Sequence, residues 1–142
     1  HLPLLAALRT GLVTYRQGSE TTRCAVGPGF AEAGPDKLLI LTEEYAERSQ
    51  VDPVLIRRAL ASVQEELSKL EGVAIVSGDA KGGEAREVDA RNQRDALIGK
   101  ENWLAVQLEL YGDPPAATQR PHEAFGPVPP PAEDEVPTAT DE

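Results

Sequence analysis

Residue types able to do chemistry are sparse in this chain, which holds two histidines and a single cysteine among 142 residues. His1 stands first and His122 lies in a proline-rich stretch, so neither has a sequence neighbour that would serve as base or co-ligand. Cys24 cannot form an internal disulfide or build a cysteine-based zinc site alone. It sits in the alternating run "TTRCAV", where a small buried or half-buried apolar role suffices. The stretches "GPG" at 27–29 and "KGGE" at 81–84 lack the Gly-Lys-Ser/Thr ending and the strand–loop–helix setting of a phosphate loop, and read as turns. No catalytic, cofactor or metal constellation emerges. What remains is charge. Arg57, Arg58, Arg86, Arg91 and Arg94 suit an acidic partner segment, and each also fits a plainer role beside a neighbouring carboxylate, worth about 0.3–0.5 kcal/mol.

The overall balance narrows the partners. A net charge of −10 gives the chain no electrostatic reason to bind nucleic acid or an anionic membrane on its own. No apolar run approaches the ~20 residues that span a bilayer, and the start has no basic flank or cleavage pattern of a signal peptide. From Asp113 onward eight of the twelve prolines appear, with seven acidic residues and one basic residue, or −6 of the total −10. Such a segment buries too little apolar surface to offset its ordering entropy, and residues 113–142 are expected to be a disordered, acidic, proline-rich tail. The chain contains no Met, so His1 is not an untrimmed start, and the sequence reads as a fragment whose front is missing.

The elements that must position anything functional follow from the apolar pattern. "TGLVTYRQ" and "TTRCAV", separated by a "GS" turn, predict a β-hairpin, and "GFAEA" and "KLLILT", separated by "GPD", predict two more strands. "PLLAAL" before them fits either a helical turn or a further strand. The expected fold class is α+β: a partial β-sandwich in an antiparallel meander over residues 1–44, then an antiparallel two-helix hairpin over 45–112. Such a sheet needs a covering layer, supplied either by the helices or by the missing front. Asp52 as N-cap, Pro53 at the first helical position and Gly72 as stop frame the first helix, about 28 Å long, with the stripe Ile56, Leu60, Val63, Leu67 and Leu70. A connector over 72–83 follows, and "VAIV" within it fits a strand, a further helical turn or a packed loop. The second helix, over 84–111 and about 42 Å long, carries Val88, Leu97, Leu104, Leu108 and Tyr111, reinforced by Ile98 and Trp103, and stops at Gly112. Its first half is polar, and Gly99 is a soft point costing ~1 kcal/mol against Ala.

In its order of motifs the chain is similar to the epsilon subunit of bacterial F-type ATP synthases. The family's Gly-His-x-Pro-Leu loop and Leu-x-Pro-Gly turn are matched by His1, Pro3, Leu4, Leu8 and Gly11. Its Gly-Gly-Phe-x-Glu turn and strand are matched by Gly29, Phe30 and Glu32. Thr10 stands where the family usually has Pro, Pro28 where it has Gly, and the family's early strands have no counterpart. Some members bind ATP through Ile/Leu-Asp-x-x-Arg-Ala, but "VDPVLIRRA" puts Leu55 and Ile56 at the Arg and Ala positions. Arg57 and Arg58 are rotated from the Arg position by about 200° and 300°, which argues against regulatory ATP binding.

The resemblance implies a non-catalytic central-stalk subunit of a proton-translocating complex, peripheral on the cytoplasmic face of the bacterial plasma membrane. Its implied partners are a gamma-type stalk subunit, the membrane rotor ring and the catalytic alpha and beta subunits. His1 would belong to the loop facing ring and stalk, and Arg57, Arg58, Arg91 and Arg94 would face the catalytic subunits. The hairpin would inhibit ATP hydrolysis when extended. The alternative is a helical-hairpin adaptor that binds a partner helix through the Ile56–Leu70 stripe.

Overall fold

The structure is a computed structural model that describes residues 3–76 and 83–115. Six strands precede two long helices: β1 (Leu4–Leu8), β2 (Gly11–Gln17), β3 (Glu20–Val26), β4 (Gly29–Ala33), β5 (Leu38–Thr42), β6 (Tyr45–Glu47), α1 (Pro53–Val76) and α2 (Gly83–Tyr111). A single 3-10 turn, Arg48–Gln50, joins β6 to α1. The expected sandwich followed by a helical pair is what the chain forms, and "PLLAAL" supplies strand β1 rather than a helical turn.

The strands do not run as one consecutive meander. They divide into two antiparallel three-stranded sheets, ordered β1-β4-β5 and β2-β3-β6. β2 and β3 form the expected hairpin. Gln17 pairs with Glu20 across a two-residue loop, and Gly18 takes φ 62°, as the first central position of a primed hairpin turn requires. The chain then leaves this sheet through Gly27 and Pro28 to build β4, and returns from β5 through Glu43 and Glu44 to build β6. These two crossovers are tied together. The Gly27 N–H donates to the Glu44 carbonyl at 2.8 Å, and the Thr42 hydroxyl lies 3.1 Å from the Pro28 carbonyl and 3.2 Å from that of Glu44. A side chain at Gly29 would collide with the Leu41 carbonyl of β5, so glycine is required where β4 starts.

The helical hairpin expected from residue 45 starts later. Residues 45–47 form β6, pairing Ala46 with Ala25 of β3, and α1 begins only at Pro53. There the Asp52 carboxylate accepts from the N–H groups of Val54 (3.1 Å) and Leu55 (3.3 Å), the expected N-cap. Gly72 does not stop this helix. It keeps ordinary helical backbone, and α1 runs on to Val76, so "VAIV" is the further helical turn among the three possibilities. Residues 77–82 of the connector lie outside the described residues, as do His1, Leu2 and 116–142, the bulk of the proposed tail. α2 ends as expected at Gly112, whose φ of 108° lets the Gly112 and Asp113 N–H groups turn back onto the carbonyls of Glu109 (3.2 Å) and Leu108 (2.9 Å).

The core has two clusters. Leu60, Val63 and Leu67 of α1 meet Leu104 and Leu108 of α2, and Ala25, Ala46 and Val51 meet Val106 and Leu110 of α2. Ile56 packs against both. α2 therefore lies between α1 and the β2-β3-β6 sheet, and its last turns bury two faces where the sequence pattern pointed to one. Val88 and Tyr111, expected in its stripe, are 53% and 37% exposed. Glu101 and Asn102 are buried in the same stretch, and Glu101 Oε2 and Asn102 Oδ1 have no hydrogen-bond partner among the described residues.

Two glycine substitutions test this architecture in opposite directions. Gly29→Ala is expected to lower unfolding free energy by about 1–3 kcal/mol through the clash with β5. Gly99→Ala, on the open side of α2, is expected to raise it by about 0.5–1 kcal/mol. Urea unfolding midpoints of the two variants provide the measurement.

Candidate interaction surfaces

Charged groups gather at the root of the hairpin, where α2 ends beside the start of α1. The Arg48 Nε–H donates to the Tyr111 carbonyl at 3.2 Å, while its guanidinium stands 5.2 Å from the centroid of the Tyr111 ring. Arg57 forms an ion pair with Asp113, just past the Gly112 cap. These contacts tie the residue after β6, the second turn of α1 and the exit of α2 into one corner. Arg48 and Tyr111 were not visible as partners in the sequence, being 63 positions apart along the chain, with Tyr111 read as part of the apolar stripe of α2.

The arginines expected to face a partner do not form one patch. Arg57 is engaged at the root, and Arg58 is exposed beside it on α1. Arg91 and Arg94 are exposed on the polar half of α2, about 26–30 Å along the helix from Tyr111. His1 lies outside the described residues. Between the helices, an open cleft of about 480 Å³ is lined by Glu66, Lys69, Leu70, Gln93, Ala96 and Leu97.

The larger feature is the β1-β4-β5 sheet. No buried core residue comes from any of its strands. Register places Leu5, Glu32 and Leu39 in one row and Ala7, Phe30 and Leu41 in the next, all on one face by strand alternation. Leu5, Leu41 and Phe30 are 71%, 61% and 56% exposed. The opposite face carries Leu4, Leu8, Ala31, Ala33, Leu38 and Ile40, so both faces are apolar. "KLLILT" held the signal: a continuous apolar run marks a strand built to be covered on both sides.

On the β2-β3-β6 sheet, Ala25 and Ala46 face α2, while Cys24 and Val26 are buried on the other side. Burial, then the Glu47 carboxylate, hold the Cys24 thiol above its ordinary pKa. Burial and a 3.1 Å hydrogen bond donated to Glu47 push Tyr45 up to about 12. At the crossover corner, burial and then Glu43 hold the Glu44 carboxyl above the usual value. Among the described residues, no group of His, Cys, Asp and Glu is placed to hold a metal ion, and no helix is long and apolar enough to cross a membrane.

Comparison with known proteins agrees with the resemblance seen in the motifs. Residues 1–49 match the family model described as ATP synthase, Delta/Epsilon chain, beta-sandwich domain. The ATP synthase epsilon chain of Magnetococcus marinus is 33% identical over 67 residues, covering 47% of this chain and 49% of the relative. The chloroplastic ATP synthase epsilon chain of Adiantum capillus-veneris is 35% identical over 72 residues, or 51% and 54% of the two chains. The ATP synthase epsilon chain of Halalkalibacterium halodurans is 35% identical over 69 residues, or 49% and 52% of the two chains. The chain spans about half the length of the curated relatives it matches.

The corner makes a pH-dependent prediction. Because the folded pKa of Glu44 is raised, the stability its neutral form contributes is complete below the ordinary value of 4.5 and is lost as pH rises through the folded value. Glu44→Gln is therefore expected to be more stable than the native chain at pH 7, an advantage that shrinks toward zero as the pH falls to 4. Urea midpoints at the two pH values measure it.

Proposed function

We propose that this chain is a non-catalytic subunit of an F-type ATP synthase, acting in the central stalk and restraining ATP hydrolysis through its α1–α2 hairpin. The match of residues 1–49 to the delta/epsilon sandwich family carries this reading. The apolar β1-β4-β5 sheet supports it, since a subunit that transmits torque needs a broad surface to grip its neighbours. In this reading a gamma-type stalk subunit and the membrane rotor ring bind the sandwich, which holds the chain peripherally at the cytoplasmic face of a bacterial membrane. The alpha and beta subunits meet the hairpin through Arg58, exposed beside the root, and through Arg91 and Arg94, exposed on the polar half of α2. The chain supplies no cofactor of its own.

Regulation requires a hairpin with two positions of similar energy. The division of the core supports such a device. Leu60, Val63, Leu67, Leu104 and Leu108 hold the helices to each other, whereas a set with smaller side chains, built around Ala25 and Ala46, holds the hairpin to the sheet. The adaptor alternative is disfavoured, because Leu60, Val63 and Leu67 of its proposed binding stripe are already buried against α2.

Reconstitution with a catalytic hexamer and its stalk subunit tests the reading. The full chain is expected to co-purify with the stalk subunit and lower the ATP hydrolysis rate several-fold, and a chain lacking residues 50–142 is expected to bind without lowering it. Absence of stalk binding removes the subunit assignment; binding with equal hydrolysis rates for both chains removes the inhibitory role alone.

A further inference from the structure

Two acceptors on α2 are left without donors by the packing around them. Glu101 is 3% and Asn102 9% exposed, and Glu101 Oε2 and Asn102 Oδ1 lack a hydrogen-bond partner among the described residues. Both atoms are already shut off from solvent by the fold, so a segment arriving from elsewhere reaches them only by displacing what covers them.

They lie one on each buried side of the helix. Glu101 is one turn from Leu97 and from Leu104, in the seam where Leu104 and Leu108 meet Leu60, Val63 and Leu67 of α1. Asn102 is one turn before Val106 and two before Leu110, on the side that rests on Ala25, Ala46 and Val51. These surroundings explain the missing donors. The seam is aliphatic, and Ala25 lies on the central strand of its sheet, its backbone paired with Leu12 on one side and Ala46 on the other. A buried oxygen without a donor has given up its water for nothing, so it raises the energy of the docked helix and not of one that has swung free.

We propose that Glu101 and Asn102 form a release device for the hairpin, Asn102 loosening its hold on the β2-β3-β6 sheet and Glu101 loosening α2 from α1. The apolar clusters decide where α2 docks. The two oxygens keep that docking shallow enough to be undone, because each regains water once its side of the helix opens. The regulatory meaning of the device rests on the two-position hairpin proposed above, whereas the device itself rests on the burial of these two side chains.

Thiol labelling under native conditions tests the device. In the 142-residue chain carrying Cys24→Ala, which removes the single native thiol, Val106→Cys reports release from the sheet and Val63→Cys reports parting of the helices, whether or not α2 stays wound. Asn102→Leu is expected to slow labelling at position 106, and Glu101→Met at position 63, each roughly tenfold or more. Asn92→Leu, on the exposed half of the same helix, measures helix propensity alone and is expected to change either rate about twofold or less. If neither buried variant slows its thiol beyond that control, the proposal is overturned. In the reconstituted complex, the double variant Glu101→Met/Asn102→Leu is expected to bind the stalk subunit as the native chain does and to lose most of its inhibition of ATP hydrolysis. Slowed labelling with native inhibition overturns the regulatory role. Failure of the native chain to bind the stalk subunit removes the subunit reading and leaves the labelling result standing.

Discussion

The pinned corner between the two sheets is the constraint on which the rest depends. The Gly27 N–H on the Glu44 carbonyl, with the Thr42 hydroxyl beside both, fixes the outgoing and returning crossovers against each other. Without that registration β6 would have no reason to lie along β3, since it pairs through only Tyr45–Glu47. β6 brings Ala46 beside Ala25, and those two small side chains make the floor on which Val106 and Leu110 rest. The docking of the longest helix thus traces back to two backbone crossovers that carry almost no apolar surface themselves.

Close approach and polar burial then meet in α2. Alanines on the sheet allow the helix near, and its last turns are enclosed on two sides. Enclosure also takes in Glu101, Asn102 and Gln107; the Gln107 side-chain amide donates to the Trp103 carbonyl at 3.3 Å, whereas Glu101 Oε2 and Asn102 Oδ1 have no partner among the described residues. Buried polar atoms without partners weaken a contact that apolar area would otherwise make firm. The α1–α2 cluster is more uniformly aliphatic. The two halves of the core, with five buried residues each, therefore differ in kind, with Ile56 common to both.

Features set by local chemistry were legible in the sequence. The Gly18–Ser19 turn, the Asp52–Pro53 start of α1 and the Gly112 stop of α2 each depend on the residues in place, and all three form as read. Gly72 misled because the absence of a side chain permits a left-handed cap without demanding one; the residues after it continue a helical pattern. β6 was missed because three residues cannot display an alternation. The pairing of β1 with β4 was missed because partner choice is non-local: Leu4–Leu8 match any apolar strand, and only the Gly27–Pro28 crossover decides which one. The second buried face of α2 was present in "NWLAVQLELY" as an excess of apolar residues, but a single-stripe reading of helices has nowhere to put them. Of the residues proposed for contact, the sequence could name the arginines but could not show that Arg57 is engaged with Asp113.

Among the described side chains, the contacts of the hairpin concentrate at one end. The apolar cluster between the helices reaches outward as far as Leu67 and Leu97, and before Leu97 the helix α2 is mostly polar, with Val88 exposed. In mechanical language it is a cantilever, clamped by Arg48, Arg57 and the Gly112 cap at its base. A rotation of about 10° at that clamp sweeps the far end of a helix about 43 Å long through about 7 Å. A change of one side-chain contact at the base is thereby geared up to a displacement larger than the spacing between two packed strands.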